Sequence, residues 1–188
     1  MRYLLIIPSL IFTLNFAYSQ DQLILKNGEI VTGVVTAINK EVVRIDSDDA
    51  GRVKRYTDRD VEKAIIFIDD KEVEFTYETV PFLGKVLLGK LYDGKVDLYT
   101  TQTYVPGGED HTKPNNYRMG GQWSMYYMKK DKEDDFFDLN YDGVLFNKFH
   151  NRVSKYFNDC PSLSKKIKNK EFKMENLEEI AKTYNSCE

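Results

Sequence analysis

Short apolar runs separated by turn residues fill the chain between residues 22 and 68. Leu23 to Leu25 leads into Asn27-Gly28, the dipeptide most typical of a two-residue hairpin turn, and Gly33 interrupts the longer run that follows. Because five strands in so short a segment bury little apolar surface as a flat sheet, the pattern predicts a small twisted barrel. The predicted strands cover residues 23–25, 30–38, 42–45, 52–56 and 61–68.

The next segment, residues 72–129, is also rich in strand-forming residues and is strongly aromatic. Asp93-Gly94 separates two long runs and therefore predicts a hairpin. We expect an antiparallel sheet with one aromatic face, which includes the only tryptophan, Trp123. The predicted elements are strands at residues 86–92 and 95–104, a polar loop at 105–116 and a strand at 122–129.

The hydrophobic period changes to that of helices in the last third of the chain. Leu145, Phe149 and Val153 recur on one stripe and predict a helix over residues 142–157. Pro161 suits the first position of a second helix, and a third follows near the end of the sequence. The predicted class is α+β, with a small N-terminal β-barrel-like unit and an antiparallel aromatic sheet followed by a three-helix C-terminal region. The predicted divisions are a signal peptide at 1–19, the barrel unit at 20–70, and the sheet with its helices at 71–188.

The first nineteen residues have the order of a secretory signal peptide. Arg2 precedes an apolar run, and small residues at Ala17 and Ser19 suit cleavage before Gln20. The run contains Pro8 and is shorter than the roughly 20 apolar residues that span a bilayer, so we expect no transmembrane anchor after cleavage. These features predict a periplasmic or secreted protein.

Charge and cysteine content narrow the function classes further. The formal charge is −3 for the whole chain and −4 without residues 1–19, which hold only one charged side chain. An acidic balance argues against a nucleic-acid partner. The two cysteines, Cys160 and Cys187, form a disulfide in an oxidising compartment, and the alternative is that they pack as two separate small apolar residues.

Two family resemblances add to this picture. The segment LKNGEIVTGVVTAINKEVVRI resembles the small SH3-like or Sm-like barrels, in which a glycine bends the long second strand. The residues of the Sm RNA pocket have no counterparts here, so RNA binding is not implied. The motifs GKVDLY, YFNDCPSLSKKIKNKEF and LEEIAKTYNSC resemble a family of small exported proteins of Bacteroidota. That family has no assigned activity, so the resemblance implies compartment and architecture but no catalytic residue.

One motif has the spacing of a metal site. Asp138 to Gly143 matches the first six positions of a calcium-binding loop, but the twelfth position, which needs a bidentate glutamate, is Phe149. Asn140 or Asp142 is better interpreted as a helix cap. No nucleophile, phosphate-binding or metal-binding motif is present elsewhere in the sequence, so we expect no enzyme activity, no metal and no cofactor.

The aromatic residues around the 105–116 loop are the candidates for a contact surface. Tyr104 and Tyr117 flank the loop, His111 lies within it, and Trp123 follows on the next predicted strand. Large amphipathic side chains around a polar loop are typical of interfaces, although the same side chains also pack sheet cores. The sequence therefore favours a non-enzymatic binding module whose partner is a protein or an envelope polymer. The alternatives are a structural or stress-related envelope protein with no small ligand and, third, an enzyme of unknown class.

Overall fold

The computed structural model describes residues 20–39, 41–47, 52–81, 83–105, 108–109, 117–118, 121–139 and 146–187. The predicted signal peptide, His111 and most of the calcium-like segment lie outside these residues.

Twelve strands are described, and ten of them form one antiparallel sheet in the order β12-β11-β8-β7-β6-β5-β1-β2-β3-β4. The first six are β1 Asp21–Leu25, β2 Ile30–Asn39, β3 Val42–Ser47, β4 Arg52–Thr57, β5 Val61–Ile68 and β6 Lys71–Val80. The other six are β7 Gly84–Tyr92, β8 Val96–Val105, β9 Gly108–Glu109, β10 Tyr117–Arg118, β11 Gly121–Lys130 and β12 Phe137–Asp138. β9 and β10 pair separately as a two-stranded ribbon, so part of the predicted 105–116 loop is extended.

The five-residue strand β1 joins the two halves of the sheet. It pairs with β2 on one side and with β5 on the other. The Asp21 carboxylate accepts the backbone N–H of Val35 in β2 at 2.8 Å and that of Phe67 in β5 at 2.9 Å. One side chain therefore holds both neighbouring strands at the end of β1.

The sheet is open in its hydrogen bonding, so the closed barrel expected for residues 20–70 is not shown. β5 continues into β6 through a tight hairpin in which Ile68 pairs with Lys71, and the sheet extends instead of closing. The sheet nevertheless curls, because Cα atoms of β2 and β8 approach within 8 Å although no backbone hydrogen bonds join these strands.

The curled strands enclose the first apolar core. Its largest fully buried side chain, Phe75, covers Gly89 on the neighbouring strand, where a Cβ atom would overlap the ring. Gly33 lies so close to the backbone of Asp46 that a side chain there would overlap its carbonyl oxygen. The buried members are Leu23, Leu25, Val31, Val35, Ile38, Val43, Ile45, Val61, Ala64, Ile66, Val73, Phe75 and Leu87.

Three helices follow the sheet, as the sequence predicted. They are α1 Phe146–Tyr156, α2 Pro161–Lys168 and α3 Leu177–Asn185, with a 3-10 turn at Met174–Asn176. They form a second core with β8 and β11 through Val96, Leu98 and Met128. Cys160 and Cys187 lie at disulfide distance with Cα atoms 6.0 Å apart, so a bridge ties the start of α2 to the end of α3. Of the helices described, none is long and apolar enough to cross a membrane.

Candidate binding surface

The structure places three of the four predicted contact residues on strands. Tyr104 in β8 pairs with Gln122, Trp123 in β11 pairs with Thr103, and Tyr117 in β10 pairs with Glu109. Tyr104 and Trp123 thus lie on neighbouring strands without being partners. The side chains of these residues lie outside the described part of the structure, as does all of His111. The predicted contact surface around the 105–116 loop stays a prediction.

The aromatic side chains that the structure does describe on this sheet belong to cores. Tyr99 and Tyr127 are buried and pack edge-on against Phe136, at ring-centroid distances of 5.2 and 6.4 Å. Tyr92 and Tyr126 are half-buried against the helical core. These four residues are therefore used for packing, which is the alternative use that the sequence left open.

Exposed apolar side chains are concentrated elsewhere, on the outer face of β2, β3 and β4. We define this outer face as Ile30, Thr32, Val34, Thr36, Arg44, Asp46, Val53 and Arg55. Among the described residues, the large apolar side chains that are exposed are Ile30, Val34 and Val53, at 58, 59 and 50%. Val34 and Val53 both pair with Asp46, one from each side, so they lie in one row across the three strands. The outer face thus carries all three of the large apolar side chains that are exposed in the described structure.

Two arginines form the next row of the outer face. Arg44 in β3 pairs directly with Arg55 in β4, and side chains at such positions have Cβ atoms about 5 Å apart. Like charges at this separation repel unless an anion lies between them. Among the described residues neither guanidinium has an ion pair, and the Arg44 Nε is buried without a hydrogen-bond partner.

A bulge in β2 explains how Arg44 becomes half-buried. The pairing of β2 with β3 shifts register between Val35 and Ala37, so two β2 residues, Thr36 and Ala37, oppose Arg44. Ala37 is buried although it does not belong to the inner core. Thr36, Ala37, Arg44, Val53 and Arg55 line a groove of about 390 Å³. The groove presents two guanidinium groups, a hydroxyl and an apolar wall.

β4 borders this groove and is the last strand of the sheet. The side chains of Arg52, Val53, Lys54 and Arg55 are all exposed. One side of the β4 backbone is therefore unpaired in the described structure, next to three basic side chains. An unpaired edge accepts a further strand, whereas basic side chains oppose pairing between two identical edges.

Two ionic clusters that each combine exposed and buried groups lie outside this surface, and sequence patterns did not indicate either, because their members are far apart in sequence or on different strands. In the first, Lys90 contacts Asp93 and Asp97 at 2.7 Å each, and the Tyr99 hydroxyl donates to Asp97 at 2.9 Å. Burial and this hydrogen bond raise the pKa of Tyr99 to about 12. Although burial raises the pKa of Asp97, hydrogen bonds from Lys90, Gly94 and Tyr99 lower it below its ordinary value.

The second cluster surrounds Lys130, whose side chain is 12% exposed. Its ammonium group lies 4.5 Å from the ring centre of Tyr156, 5.6 Å from that of Phe157 and 5.2 Å from that of Tyr184. It donates to the Tyr156 carbonyl at 2.7 Å and contacts the Asp159 carboxylate at 3.0 and 3.1 Å. We call these three rings the aromatic cage. Because the Lys130 ammonium group occupies the cage, Lys130 connects β11 to the helices.

No group of metal-binding side chains is present among the described residues. No protein-family model, curated protein or solved structure shows significant similarity to this chain.

Proposed function

We propose that this protein is exported and acts in the cell envelope as a binding module without catalytic activity, and that a polypeptide partner docks on the outer face. The observation that carries the proposal is that Ile30, Val34 and Val53 all lie on that face and are each at least half exposed. Exposed apolar patches bordered by polar side chains are typical of interaction sites. The polar side chains here are Thr32, Thr36 and Asp46 together with Arg44 and Arg55, two residues that line the groove.

Two features support export. The N-terminal residues have the pattern of a secretory signal, and Cys160 and Cys187 lie at disulfide distance. Disulfides persist in oxidising compartments such as the periplasm and the cell exterior. A periplasmic or secreted location follows from the proposal.

The second candidate function is a structural envelope protein with no small ligand. The burial of Tyr99 and Tyr127 favours it, because the described part of the aromatic sheet is used for packing. The outer face distinguishes the two functions, since packing does not explain why apolar side chains remain in water there.

A capture experiment with matched variants tests the proposal. Immobilised protein lacking residues 1–19 is incubated with envelope extract, and each partner identified by mass spectrometry is then purified and tested for direct binding. We expect a Val34→Ser, Val53→Ser variant to lose a partner that wild type retains. A Glu62→Ser, Glu72→Ser variant, changed at exposed positions of β5 and β6, should keep it. Equal retention by all three proteins would contradict the proposed docking face.

A further inference from the structure

We propose that the partner is an extended acidic polypeptide segment, which adds to the edge of β4 and places an acidic side chain beside Arg55, from where its carboxylate reaches the groove that Arg55 lines with Arg44. This inference rests on the proposed function, because it names the chemistry of the partner for the same outer face.

The groove contains two guanidinium groups whose positive charges are not balanced by an ion pair with any described residue. Arg44 and Arg55 are direct cross-strand partners, and the described residues supply neither with an anion. A buried guanidinium nitrogen without a hydrogen-bond partner is costly, and the Arg44 Nε is buried with no such partner in the part of the chain that the structure describes. A carboxylate bound here would relieve the repulsion and accept hydrogen bonds from planar donors whose geometry matches it.

The open edge of β4 determines where an added strand would place its side chains. A strand that pairs with β4 would lie about 4.8 Å from it and would continue the alternation of side chains between the two faces. Val53 and Arg55 both belong to the outer face and are separated by one residue. The incoming strand would therefore place an apolar residue beside Val53 and an acidic residue beside Arg55, with one residue between them.

The opposite face of β4 is also basic at this edge. Lys54 pairs with Ile45, which is fully buried, and Arg52 pairs with Ser47, yet both basic side chains are exposed. The residue between the apolar and acidic positions of the partner would meet Lys54. An acidic residue there would add a favourable charge, so the partner motif is apolar-acidic-acidic. The same basic side chains disfavour pairing with the β4 of a second copy, so the edge selects its partner by charge.

Fluorescence anisotropy with labelled synthetic peptides tests the charge selection on the full protein lacking residues 1–19. The probes are a peptide with a central valine-glutamate-glutamate motif, its counterpart with glutamine in place of both glutamates and its counterpart with lysine in place of both. We expect the glutamate peptide to bind and an Arg44→Glu, Arg55→Glu variant to weaken it by at least about tenfold. Arg55→Glu alone, at an exposed position, should weaken binding in the same direction and is the second variant if the double variant unfolds.

A variant with the same change in net charge controls for general electrostatics. Lys165→Glu, Lys166→Glu reverses two exposed charges on α2 and should change the affinity by less than about twofold. Equal weakening by both double variants, or equal affinity for the glutamate and glutamine peptides, would overturn the inference. Tighter binding of a single-stranded oligonucleotide than of the glutamate peptide would also overturn it, because the surface would then take any polyanion.

Amide hydrogen exchange tests the added strand. We expect the peptide to slow exchange of β4 amides and to leave those of α2 unchanged. Binding without protection of β4 would contradict strand addition. If the capture experiment identifies an outer-face partner but the glutamate peptide does not bind, the proposed function stands and this inference fails. If no captured partner depends on Val34 and Val53, the proposed function fails.

Discussion

Tyr99 and Tyr127 are cross-strand partners on β8 and β11 that pack against the same ring, but their hydroxyl groups differ in hydrogen bonding. The Tyr99 hydroxyl donates to Asp97 at 2.9 Å, whereas the Tyr127 hydroxyl is buried and has no hydrogen-bond partner among the described residues. The same substitution should therefore have opposite effects at the two positions.

We expect Tyr127→Phe to raise the free energy of unfolding by up to about 1 kcal/mol, because it removes an unsatisfied buried polar group. Tyr99→Phe should lower the free energy of unfolding by about 2 kcal/mol, because it removes a hydrogen bond to a carboxylate. Urea unfolding at neutral pH measures both changes. A loss of stability in Tyr127→Phe as large as that in Tyr99→Phe would show that the two hydroxyls are equivalent.

Alkaline pH should destabilise the protein through the same two residues. Burial raises the pKa of Tyr127 to about 12, and burial with the bond to Asp97 raises that of Tyr99 to about 12. The pKa of a tyrosine in the unfolded chain is about 10. The stability that the two neutral tyrosines contribute is therefore fully present below about pH 10 and is lost as the pH rises toward about 12. Unfolding curves between these limits should show falling stability, with a shallower slope in Tyr127→Phe. If Tyr127→Phe left the slope of stability against pH unchanged, this would contradict the raised pKa of Tyr127.

Lys130 should contribute more to the stability of the protein than a lysine in a surface ion pair does. Lys130→Met removes the contacts with Asp159, the Tyr156 carbonyl and the surrounding rings, and we expect a loss of about 2 kcal/mol or more. Lys182→Met is the matched control. Its 2.7 Å ion pair with Glu178 is half exposed on both sides, so its loss should cost much less stability than the loss of Lys130. Equal losses in urea unfolding would show that the cage is no more than a surface ion pair.

The bridge between Cys160 and Cys187 should stabilise the helices. It spans a sequence separation of 27, for which chain entropy gives about 3 to 4 kcal/mol. Cys160→Ala, Cys187→Ala should lower the melting temperature of the oxidised protein and make it insensitive to reductant. Peptide mapping without reduction should recover the two cysteine segments as one species. Two freely alkylated thiols in protein from the native envelope would contradict the bridge.

Local patterns predicted most of the elements but few of the contacts between them. The strand and helix positions followed from alternation, from Asn27-Gly28 and Asp93-Gly94, and from the apolar stripe of α1. The continuation of β5 into the longer sheet did not follow, because the choice between closing and extending depends on pairings between distant segments. That choice separates the predicted barrel from the observed open sheet.

The sequence patterns did not predict the outer face either, because it also depends on contacts between distant segments. Alternation indicates which residues share a face, but it does not indicate whether another layer covers that face. The pairing of Arg44 with Arg55 depends on the register of β3 with β4, which sequence periodicity alone does not fix. The bulge that brings Thr36 and Ala37 opposite Arg44 left no recognisable signal, because neither residue is a glycine.

Asp21 sets a limit on where an export peptidase could cut this chain. Cleavage before Gln20 would leave β1 whole, with the Asp21 carboxylate still bonded to Val35 and Phe67. Cleavage after Asp21 would remove the carboxylate that bonds to both β2 and β5, and cleavage after Leu25 would remove the strand that joins β2, β3 and β4 to the rest of the sheet. An error of two residues in processing would thus remove a side chain that bonds to both β2 and β5, while Gln22 to Ile24 of β1 would still pair with both strands. The position of the cut would therefore set how firmly the two halves are joined.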